Sequence, residues 1–427
     1  MNSKIGMTQR PTMLLIEPWY CYPPWIGGLQ RHYHLARHLA PHFQITLVAP
    51  PNTDPIPRVD YLPDYPEMGI ELVLARRDRR LRHRVRRKIK YTAKSLWRRI
   101  ERPADWVEWL SHDDLHQAAK RAIAGRRFDF TVLSATWLAN FVGWLPREQR
   151  GVTVLNTQNV ESSLWDQWWR ETPPGPLRED RRRDWKAVVR YERRWFPRQE
   201  AIVSCSPGDD AWAAENFPEV PHEMVPNGID CALYEPAPEG AEPKSGAFIG
   251  LLNSAANEQG VCWFSREILP AIVREEPAFR FLVAGKDPTV RVQELAGPNV
   301  EVIGFVKHAQ DVLRRAGIVV VPLIQGGGTR NKIMEAFAAQ KAVVSTAKGC
   351  EGLDVRHERD ILIADQPAEF AAQVVRLLRD AGLRQRLGEA GRRLVKATYD
   401  WPIVAGSFRE FLLDLKARRQ RGGTAAS

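Results

Sequence analysis

The sequence predicts an α/β protein with two doubly wound domains, each built on a parallel sheet. Short apolar runs of strand length alternate with longer helical patterns along the chain, which is typical of βα units. The series stops at PEVPHEMVPNGID, residues 218–230, and then starts again. A chain of 427 residues is also too long for one ordinary hydrophobic core.

The predicted strands form two sets, one on each side of Pro226-Asn227-Gly228, which we call the PNG turn. The first set is Met13–Pro18, Ile45–Ala49, Glu71–Ala75, Phe128–Ser134, Val152–Thr157 and Ala201–Ser204. The second set is Ala247–Gly250, Arg280–Gly285, Val300–Phe305, Ile318–Leu323, Ala342–Thr346 and Ile361–Ala364. Ligands of doubly wound sheets bind beyond the carboxyl ends of the strands. We therefore expect the site in a cleft between the two domains.

The cysteine spacing and the hydropathy of the chain argue against several classes of protein. Five cysteines without CxxC spacing argue against a zinc site or a disulfide framework. The N-terminal segment shows no cleavable signal pattern, and no apolar stretch approaches the roughly 20 residues that span a bilayer. We expect a cytoplasmic protein.

The net charge of +11 is concentrated between Arg76 and Arg102, where fourteen Lys or Arg face two acids. Such a run is compatible with nucleic acid, an anionic membrane surface, an acidic substrate, or a merely solvated basic segment. Composition alone leaves these alternatives open.

The segment QGGGTRNKIMEA, residues 325–336, carries the clearest functional signal. Gly326, Gly327 and Gly328 follow a predicted buried strand, and Thr329 is a suitable N-cap for the next helix. Backbone N–H groups at a helix N-terminus form an anion site. Arg330 and Lys332 add positive charge for a diphosphate, and Glu335 can accept hydrogen bonds from two ribose hydroxyls. The alternative is a tight βα turn followed by a solvated glutamate.

A second glycine pair, Gly27-Gly28, follows the first strand and begins a helix in the other domain. A plain βα turn explains each glycine loop separately. Their matched placement favours a diphosphate clamped between the domains.

The glycine segment resembles the nucleotide-sugar site of family 4 glycosyltransferases, in particular a GGGTR subgroup. The resemblance covers nearly the whole chain except the basic stretch around 76–127. Its other motifs are NTQNVES at 156–162, VSCSPGDDAW at 203–212, VPNGIDCALYEP at 225–236, FLVAGKDP at 281–288 and GFVKHAQDVLRRAGIVVVPL at 304–323. It implies the GT-B fold, in which two Rossmann-like domains face each other across a cleft.

This fold implies an acceptor-side domain over 1–224, with a basic helical insertion at about 76–127, and a nucleotide-sugar domain over 225–400. Residues 401–418 are expected to form a helix packed back on the first domain, followed by a flexible tail at 419–427.

The family also implies retaining sugar transfer from a nucleoside diphosphate donor without a metal. The residues expected to bind the donor are Gly27, Gly28, Val306, Lys307, Gly326, Gly327, Gly328, Thr329 and Glu335. In this set Glu335 would bind the ribose, and Val306 and Lys307 would lie against the nucleobase. Arg330, Lys332 and Gln158 are the expected catalytic residues.

Three departures from the family pattern stand out. Gly327 replaces the first of two glutamates found in many members, as in the GGGTR subgroup. The segment IGLLNSAANEQG, residues 249–260, lacks the Arg and Lys that neutralise the leaving diphosphate, and Arg330 and Lys332 are the nearest replacements. Gln158 stands where a histidine is expected near the donor sugar, and an amide cannot carry a proton. A packed polar residue is the alternative there.

The sequence shows no metal motif in a convincing context, since Asp209-Asp210 fit the first turn of a helix. We expect no cofactor. Tryptophans at WYCYPPW, WDQWW and Trp185–Trp195 indicate the acceptor side of the first domain. With the basic stretch they lead to the hypothesis of a peripheral enzyme on an anionic membrane that glycosylates a saccharide or lipid-linked saccharide.

Three other functions stay open. A nucleotide-sugar epimerase would use the same fold, but no acid or base stands out near Gly28 or Gln158. An inactive sugar-nucleotide-binding relative is suggested by Gly327 and Gln158. A nucleic-acid-binding protein would use the basic stretch and is the least favoured.

Overall fold

The computed structural model describes residues 10–24, 27–51, 62–75, 113–236, 242–326 and 330–424. The chain divides into two compact units, Met1–Pro226 with Ala405–Ser427, and Asn227–Val404. The division falls inside the PNG turn. The basic stretch between Arg76 and Arg102 lies outside the described residues.

The first unit is built on a seven-stranded parallel sheet in the order β3-β2-β1-β4-β5-β6-β7. Its strands are β1 Thr12–Ile16, β2 Gln44–Ala49, β3 Glu71–Leu74, β4 Phe130–Leu133, β5 Val152–Asn156, β6 Ala201–Ser204 and β7 His222–Met224. The first six confirm the predicted set. The sequence analysis missed β7, because a three-residue strand at the sheet edge carries no apolar run.

Helices cover this sheet. Their bounds are α1 Gly27–Leu39, α2 Asp113–Ile123, α3 Arg147–Arg150, α4 Glu161–Glu171, α5 Pro176–Trp195 and α6 Pro207–Asn216, with 3₁₀ turns at Tyr65–Met68, Thr136–Gly143 and Phe196–Arg198. All residues of β4 and β5 are buried. Burial on both faces explains the continuous apolar runs of these strands.

The second unit repeats this plan with a six-stranded parallel sheet in the order β10-β9-β8-β11-β12-β13. Its strands are β8 Glu242–Ile249, β9 Arg280–Ala284, β10 Val300–Gly304, β11 Ala316–Val321, β12 Val343–Ser345 and β13 Leu362–Ile363. These confirm the second predicted set. In both sheets the strand order reverses beside the first strand, which creates the switch point where doubly wound folds bind ligands.

The helices of the second unit enclose one large apolar core that includes Phe248, Phe281 and Phe337. Their bounds are α7 Ala255–Trp263, α8 Leu269–Glu275, α9 Val290–Gln293, α10 Ala309–Arg315, α11 Asn331–Ala338, α12 Pro367–Arg379 and α13 Ala381–Thr398, with a π segment at Phe264–Ile268 and a 3₁₀ turn at Cys231–Leu233.

The last helix, α14, runs over Trp401–Thr424, and its residues from Ala405 onward belong to the first unit. Lys416 Nζ lies 2.6 Å from Asp129 Oδ1, and an Arg419 guanidinium nitrogen lies 3.1 Å from Glu200 Oε2. The helix continues beyond residue 418, where the sequence analysis ended it, and Arg419 in this extension has an acidic partner on the first unit.

Candidate functional site

The glycine loop follows the carboxyl end of β11, as predicted. Gly326 has a φ of 102°, in the region that favours glycine, and a Cβ there would meet the Ala256 Cβ at 2.9 Å. Gly327, Gly328 and Thr329 lie outside the described residues, so their predicted roles in donor binding stay predictions. Helix α11 begins at Asn331 with Arg330 at the cap position, and the prediction of Thr329 as the N-cap is therefore wrong.

Arg330 connects the start of the glycine loop to the segment after β12. Its buried guanidinium donates to the Gly326 carbonyl oxygen at 3.0 Å and lies 3.4 Å from Glu351 Oε2. Burial lowers the pKa of Arg330, and the Glu351 carboxylate opposes that change. These contacts hold the Gly326 carbonyl and place a guanidinium beside it.

Lys332 extends from α11 toward the carboxyl end of β8. Its Nζ donates to Asn257 Oδ1 at 2.7 Å and lies 4.5 Å from the centroid of the Phe248 ring. Burial, with a smaller contribution from Arg330, lowers the pKa of Lys332 to about 7, while Glu335 opposes the change. A cation from α11 thus lies beside the first turn of α7, and residues 249–260 around that turn contain no Lys or Arg.

Glu335 lies one turn further along α11 and is partly buried. Burial raises the pKa of Glu335 to about 7, opposed by a side-chain hydrogen bond with Tyr234 and by the charge of Lys332. A desolvated carboxylate with few internal partners is poised to accept hydrogen bonds from a ligand. The sequence analysis missed Asn257 and Tyr234, since nothing in their spacing marks them.

The loop after β10 completes this edge of the second sheet. Val306 is partly buried against an apolar cluster that includes Ala247 and Ala316, and Lys307 is exposed. The structure thus brings Arg330, Lys332 and Glu335 together at the end of β11. The nucleobase contact of Val306 and Lys307 stays a prediction.

In the first unit, Gly28 and Gln158 are in direct contact. Helix α1 begins at Gly27, as predicted. The Gln158 Nε2 donates to the Gly28 carbonyl oxygen at 3.2 Å, and a Cβ on Gly28 would lie 2.9 Å from Gln158 Oε1. The close packing of this amide is therefore one reason for a glycine at position 28.

Two titratable side chains lie behind Gln158. The amide of Gln158 contacts His32 Nε2, and His32 Nδ1 lies 2.8 Å from Glu17 Oε2. Glu17 Oε1 also accepts from Ser134 Oγ at 3.0 Å. The interpretation that no acid or base stands out near Gly28 or Gln158 is therefore wrong. One signal was available, because a glutamate ends the first strand and a histidine follows Gly28 by one helical turn.

Asp209 and Asp210 have the structural role expected of a first helical turn. Ser206 caps α6 by accepting from the Asp209 backbone N–H at 3.1 Å, and the Val160 N–H donates to Asp209 Oδ1 at 3.2 Å. Asp210 Oδ1 accepts from Ser204 Oγ at 3.0 Å. Both carboxylates are thus engaged within the protein.

The described residues contain neither a metal-binding cluster nor a membrane-spanning helix. Across the described ranges, no group of three or more His, Cys, Asp or Glu is arranged to hold a metal ion. Within the same ranges, no helix has the length and apolar character that crossing a membrane requires.

Part of the chain matches a known protein family. Residues 243–380 match the family model described as glycosyl transferases group 1. An uncharacterised 44.6 kDa protein of the cps region of Klebsiella pneumoniae is 24% identical over 173 residues, which are 38% of this chain and 45% of that protein. The match thus spans less than half the length of this relative.

Solved structures resemble the chain over almost its whole length. Sucrose-phosphate synthase from Thermosynechococcus elongatus has a TM-score of 0.67 at 16% identity, covering 96% of this chain and 100% of that one. HepE from Anabaena, in complex with UDP and glucose, has a TM-score of 0.61 at 12% identity, covering 95% of this chain and 100% of that one. A glycosyltransferase from Rickettsia africae has a TM-score of 0.62 at 12% identity, with coverages of 95% and 98%.

Identities this low establish the fold alone, and the fold is GT-B, as predicted. Residues 243–380 are similar to group 1 glycosyl transferases, and the whole chain resembles solved glycosyltransferases in fold.

Proposed function

We propose that the protein is a retaining glycosyltransferase that moves a sugar from a nucleoside diphosphate donor to a saccharide or lipid-linked saccharide, without a metal. The observation that carries this proposal is the grouping of Lys332 and Glu335 on α11 at the carboxyl edge of the second sheet. A cation suits a diphosphate and a desolvated carboxylate suits ribose hydroxyls. The solved HepE complex with UDP-glucose supports a donor of this class.

In this proposal each group on α11 has a separate task. Cleavage of the bond between sugar and diphosphate builds negative charge on the departing phosphate. The Lys332 ammonium and the N–H groups at the start of α11 would stabilise that charge, a contribution that is often the largest one in catalysis. Arg330 would hold the glycine loop in place through Gly326 and Glu351 and add positive charge beneath it. Retention without a carboxylate nucleophile suits front-face attack, in which the phosphate deprotonates the acceptor hydroxyl.

Calorimetric titration with a panel of nucleoside diphosphates and their sugars tests donor binding. We expect one nucleotide family to bind and Glu335→Gln to weaken it by about tenfold or more, a loss of at least about 1.4 kcal/mol. Glu369→Gln, at an exposed glutamate of the same unit, is the matched control and should bind as the wild type does. If no nucleotide binds, or if both variants behave alike, the proposal fails.

Reaction products distinguish transfer from epimerisation. Glu17 and His32 are the acid–base pair nearest Gln158, but both side chains are buried and the imidazole Nε2 contacts the Gln158 amide. This burial favours a supporting role over proton exchange with a substrate. Incubation with the donor alone should give at most slow hydrolysis, whereas an epimerase would give a new sugar nucleotide.

We also propose that the first unit rests on an anionic membrane surface and that the product belongs to a cell-surface polysaccharide or glycoconjugate. The hairpin of α4 and α5 supports the first part, since Trp168 is 41% exposed and Leu177 is 58% exposed. Three arginines, Arg170, Arg178 and Arg182, surround Trp169.

The cps-region relative supports the proposal that the product belongs to a cell-surface polysaccharide or glycoconjugate. Failure of vesicles rich in anionic lipid to pellet the protein at low salt would contradict membrane binding.

A further inference from the structure

The side-chain amide of Asn257 is engaged at both of its ends. Asn257 lies in the first turn of α7, and its amide nitrogen donates to the Leu251 carbonyl oxygen at 2.8 Å. Its amide oxygen accepts from Lys332 Nζ at 2.7 Å. Because a carbonyl oxygen only accepts and an ammonium only donates, both partners require the same orientation of the amide. The oxygen of Asn257 is therefore directed at the lysine.

The turn after β8 holds this amide closely. A Cβ on Gly250 would lie 3.0 Å from Asn257 Nδ2 and 3.3 Å from its Cγ, so the amide packs directly over the glycine backbone. The turn is itself hydrogen-bonded to the end of β9. The Gly250 N–H donates to the Ala284 carbonyl oxygen at 3.1 Å, and the Leu252 N–H donates to the Lys286 carbonyl oxygen at 2.9 Å. The position of the Asn257 oxygen is thus set by the backbone around it.

Lys332 needs an acceptor of this kind, because its charge is only marginally stable. Burial lowers the pKa of Lys332 to about 7, with a smaller contribution from Arg330, and the charge of Glu335 opposes the change. An acid on α7, Glu258, lies 3.3 Å from an Arg291 guanidinium nitrogen and is engaged there. At neutral pH the ammonium and the neutral amine are therefore present in similar amounts. A hydrogen-bond acceptor beside the amine shifts this balance toward the charged form.

We propose that Asn257 is a positioning residue for the cation that meets the diphosphate of the donor, because its oxygen holds the Lys332 ammonium in place and favours its charged form. The Phe248 ring, whose centroid lies 4.5 Å from Nζ, acts in the same sense. An ammonium has three hydrogens, and Asn257 accepts one of them, which leaves the others for phosphate oxygens. This inference rests on the proposed function, which assigns Lys332 to the diphosphate.

Two substitutions of Asn257 should move the pKa of Lys332 in opposite directions. Asn257→Leu keeps the size of the side chain and removes the acceptor, so the pKa should fall to about 6 or below. Asn257→Asp places a carboxylate beside the amine, so the pKa should rise to about 8 or above. NMR titration of lysine side chains labelled with ¹³C measures these values, and the signal that is lost in Lys332→Met assigns the residue. If one variant does not fold, the other still gives a shift of defined sign.

The pH dependence of phosphate binding gives a second readout. UDP and inorganic pyrophosphate are the probes, since pyrophosphate reports on phosphate contacts without a nucleoside. At pH 7 Asn257→Leu should weaken both about fivefold, because the charged fraction of Lys332 falls from about one half to about one tenth. At about pH 5 the lysine is charged in both proteins, and the difference should disappear. Gln259→Leu, at an exposed amide of α7, is the matched control and should bind both probes as the wild type does.

Two results would overturn the proposal. One is a loss of affinity in Asn257→Leu that is equal at pH 5 and pH 7, which would indicate a packing role. The other is a Lys332 pKa that is the same in the wild type and in both variants, and UDP binding by the wild type would then leave the proposed function intact. Opposite pKa shifts in a protein that binds neither probe would instead refute the assignment of Lys332 to a diphosphate, and with it the proposed function.

Discussion

Lys332 Nζ lies 2.7 Å from Asn257 Oδ1, so a lysine on α11 brings positive charge to the first turn of α7, the helix after β8, which lies more than seventy residues earlier in the chain. Residues 249–260, which include this turn, contain no Lys or Arg. Under the proposed function, the helix after the glycine loop would replace the Arg and Lys of the family pattern, and this placement depends on the parallel neighbours β8 and β11.

Replacing Lys332 should raise the stability of the ligand-free protein and weaken its binding of UDP. Lys332→Met removes a desolvated charge, so we expect the free energy of unfolding of the ligand-free protein to rise by about 1 kcal/mol. The affinity for UDP should fall by about tenfold to a hundredfold, because the diphosphate loses a charged partner. Chemical denaturation and calorimetry measure the two effects. Lys286→Met, at an exposed lysine of the same unit, is the control. Unchanged UDP affinity in Lys332→Met would refute the assigned role.

The pH dependence of UDP binding should be bell-shaped with its maximum near neutrality. Diphosphate binding favours a charged Lys332, whose pKa is lowered to about 7, and ribose binding favours a charged Glu335, whose pKa is raised to about 7. Because the two groups are neighbours, the two limbs belong to the pair. Calorimetry from pH 5 to 9, roughly the range spanned by two such groups, measures the profile. Glu335→Gln should remove the Glu335 contribution to the acidic limb and move the basic limb to lower pH, because it also removes the charge that opposes the lowering of the Lys332 pKa.

The free energy of unfolding should also depend on pH through the protonation of Glu335. Its folded pKa lies above the ordinary value of 4.5, so its stabilising contribution is complete below about pH 4.5 and is lost as pH rises through about 7. Relative to Glu335→Gln, the wild type should lose on the order of 2 kcal/mol of unfolding free energy across that window. Urea titrations of both proteins at several pH values test this. Parallel pH curves for the two proteins would contradict the burial of the charge.

The sequence predicted the two sheets because buried parallel strands have long apolar runs, and it failed at β7, whose three residues have none. The same reasoning located Glu335 and Lys332, since a strand, a glycine loop and a helix lie together in the sequence. It could not identify Asn257 or Tyr234, which reach α11 from distant segments. The Glu17–His32 pair escaped for a similar reason, because its contact depends on how α1 packs behind β1.

Gly326 should tolerate no side chain. Its φ of 102° disfavours any other residue, and a Cβ would press against Ala256 at 2.9 Å. Gly326→Ala should lower the free energy of unfolding by about 1–3 kcal/mol and weaken UDP binding, since Arg330 holds the Gly326 carbonyl. Gly297→Ala is the control, because the nearest atom to its Cβ would be 3.9 Å away. Equal stability of the two variants, by thermal denaturation, would argue against a constrained loop.

The PNGID motif owes its glycine to packing against the start of α14. A Cβ on Gly228 would lie 2.7 Å from the Trp401 ring and 2.9 Å from the Tyr399 carbonyl oxygen, which also accepts from the Ile229 N–H at 2.8 Å. Trp401 is 1% exposed and has no room to move aside.

Gly228→Ala should therefore lower the free energy of unfolding by about 2–4 kcal/mol, because a close-packed site must open. Gly406 lies in α14, and a Cβ added there would have no atom within 4 Å. Gly406→Ala should therefore stabilise the protein by about 0.5–1 kcal/mol through helix propensity. Urea denaturation of both variants measures the two changes in the free energy of unfolding, which should have opposite signs. A Gly228→Ala protein as stable as the wild type would mean that the turn is free to shift away from Trp401, and that its glycine serves something other than packing.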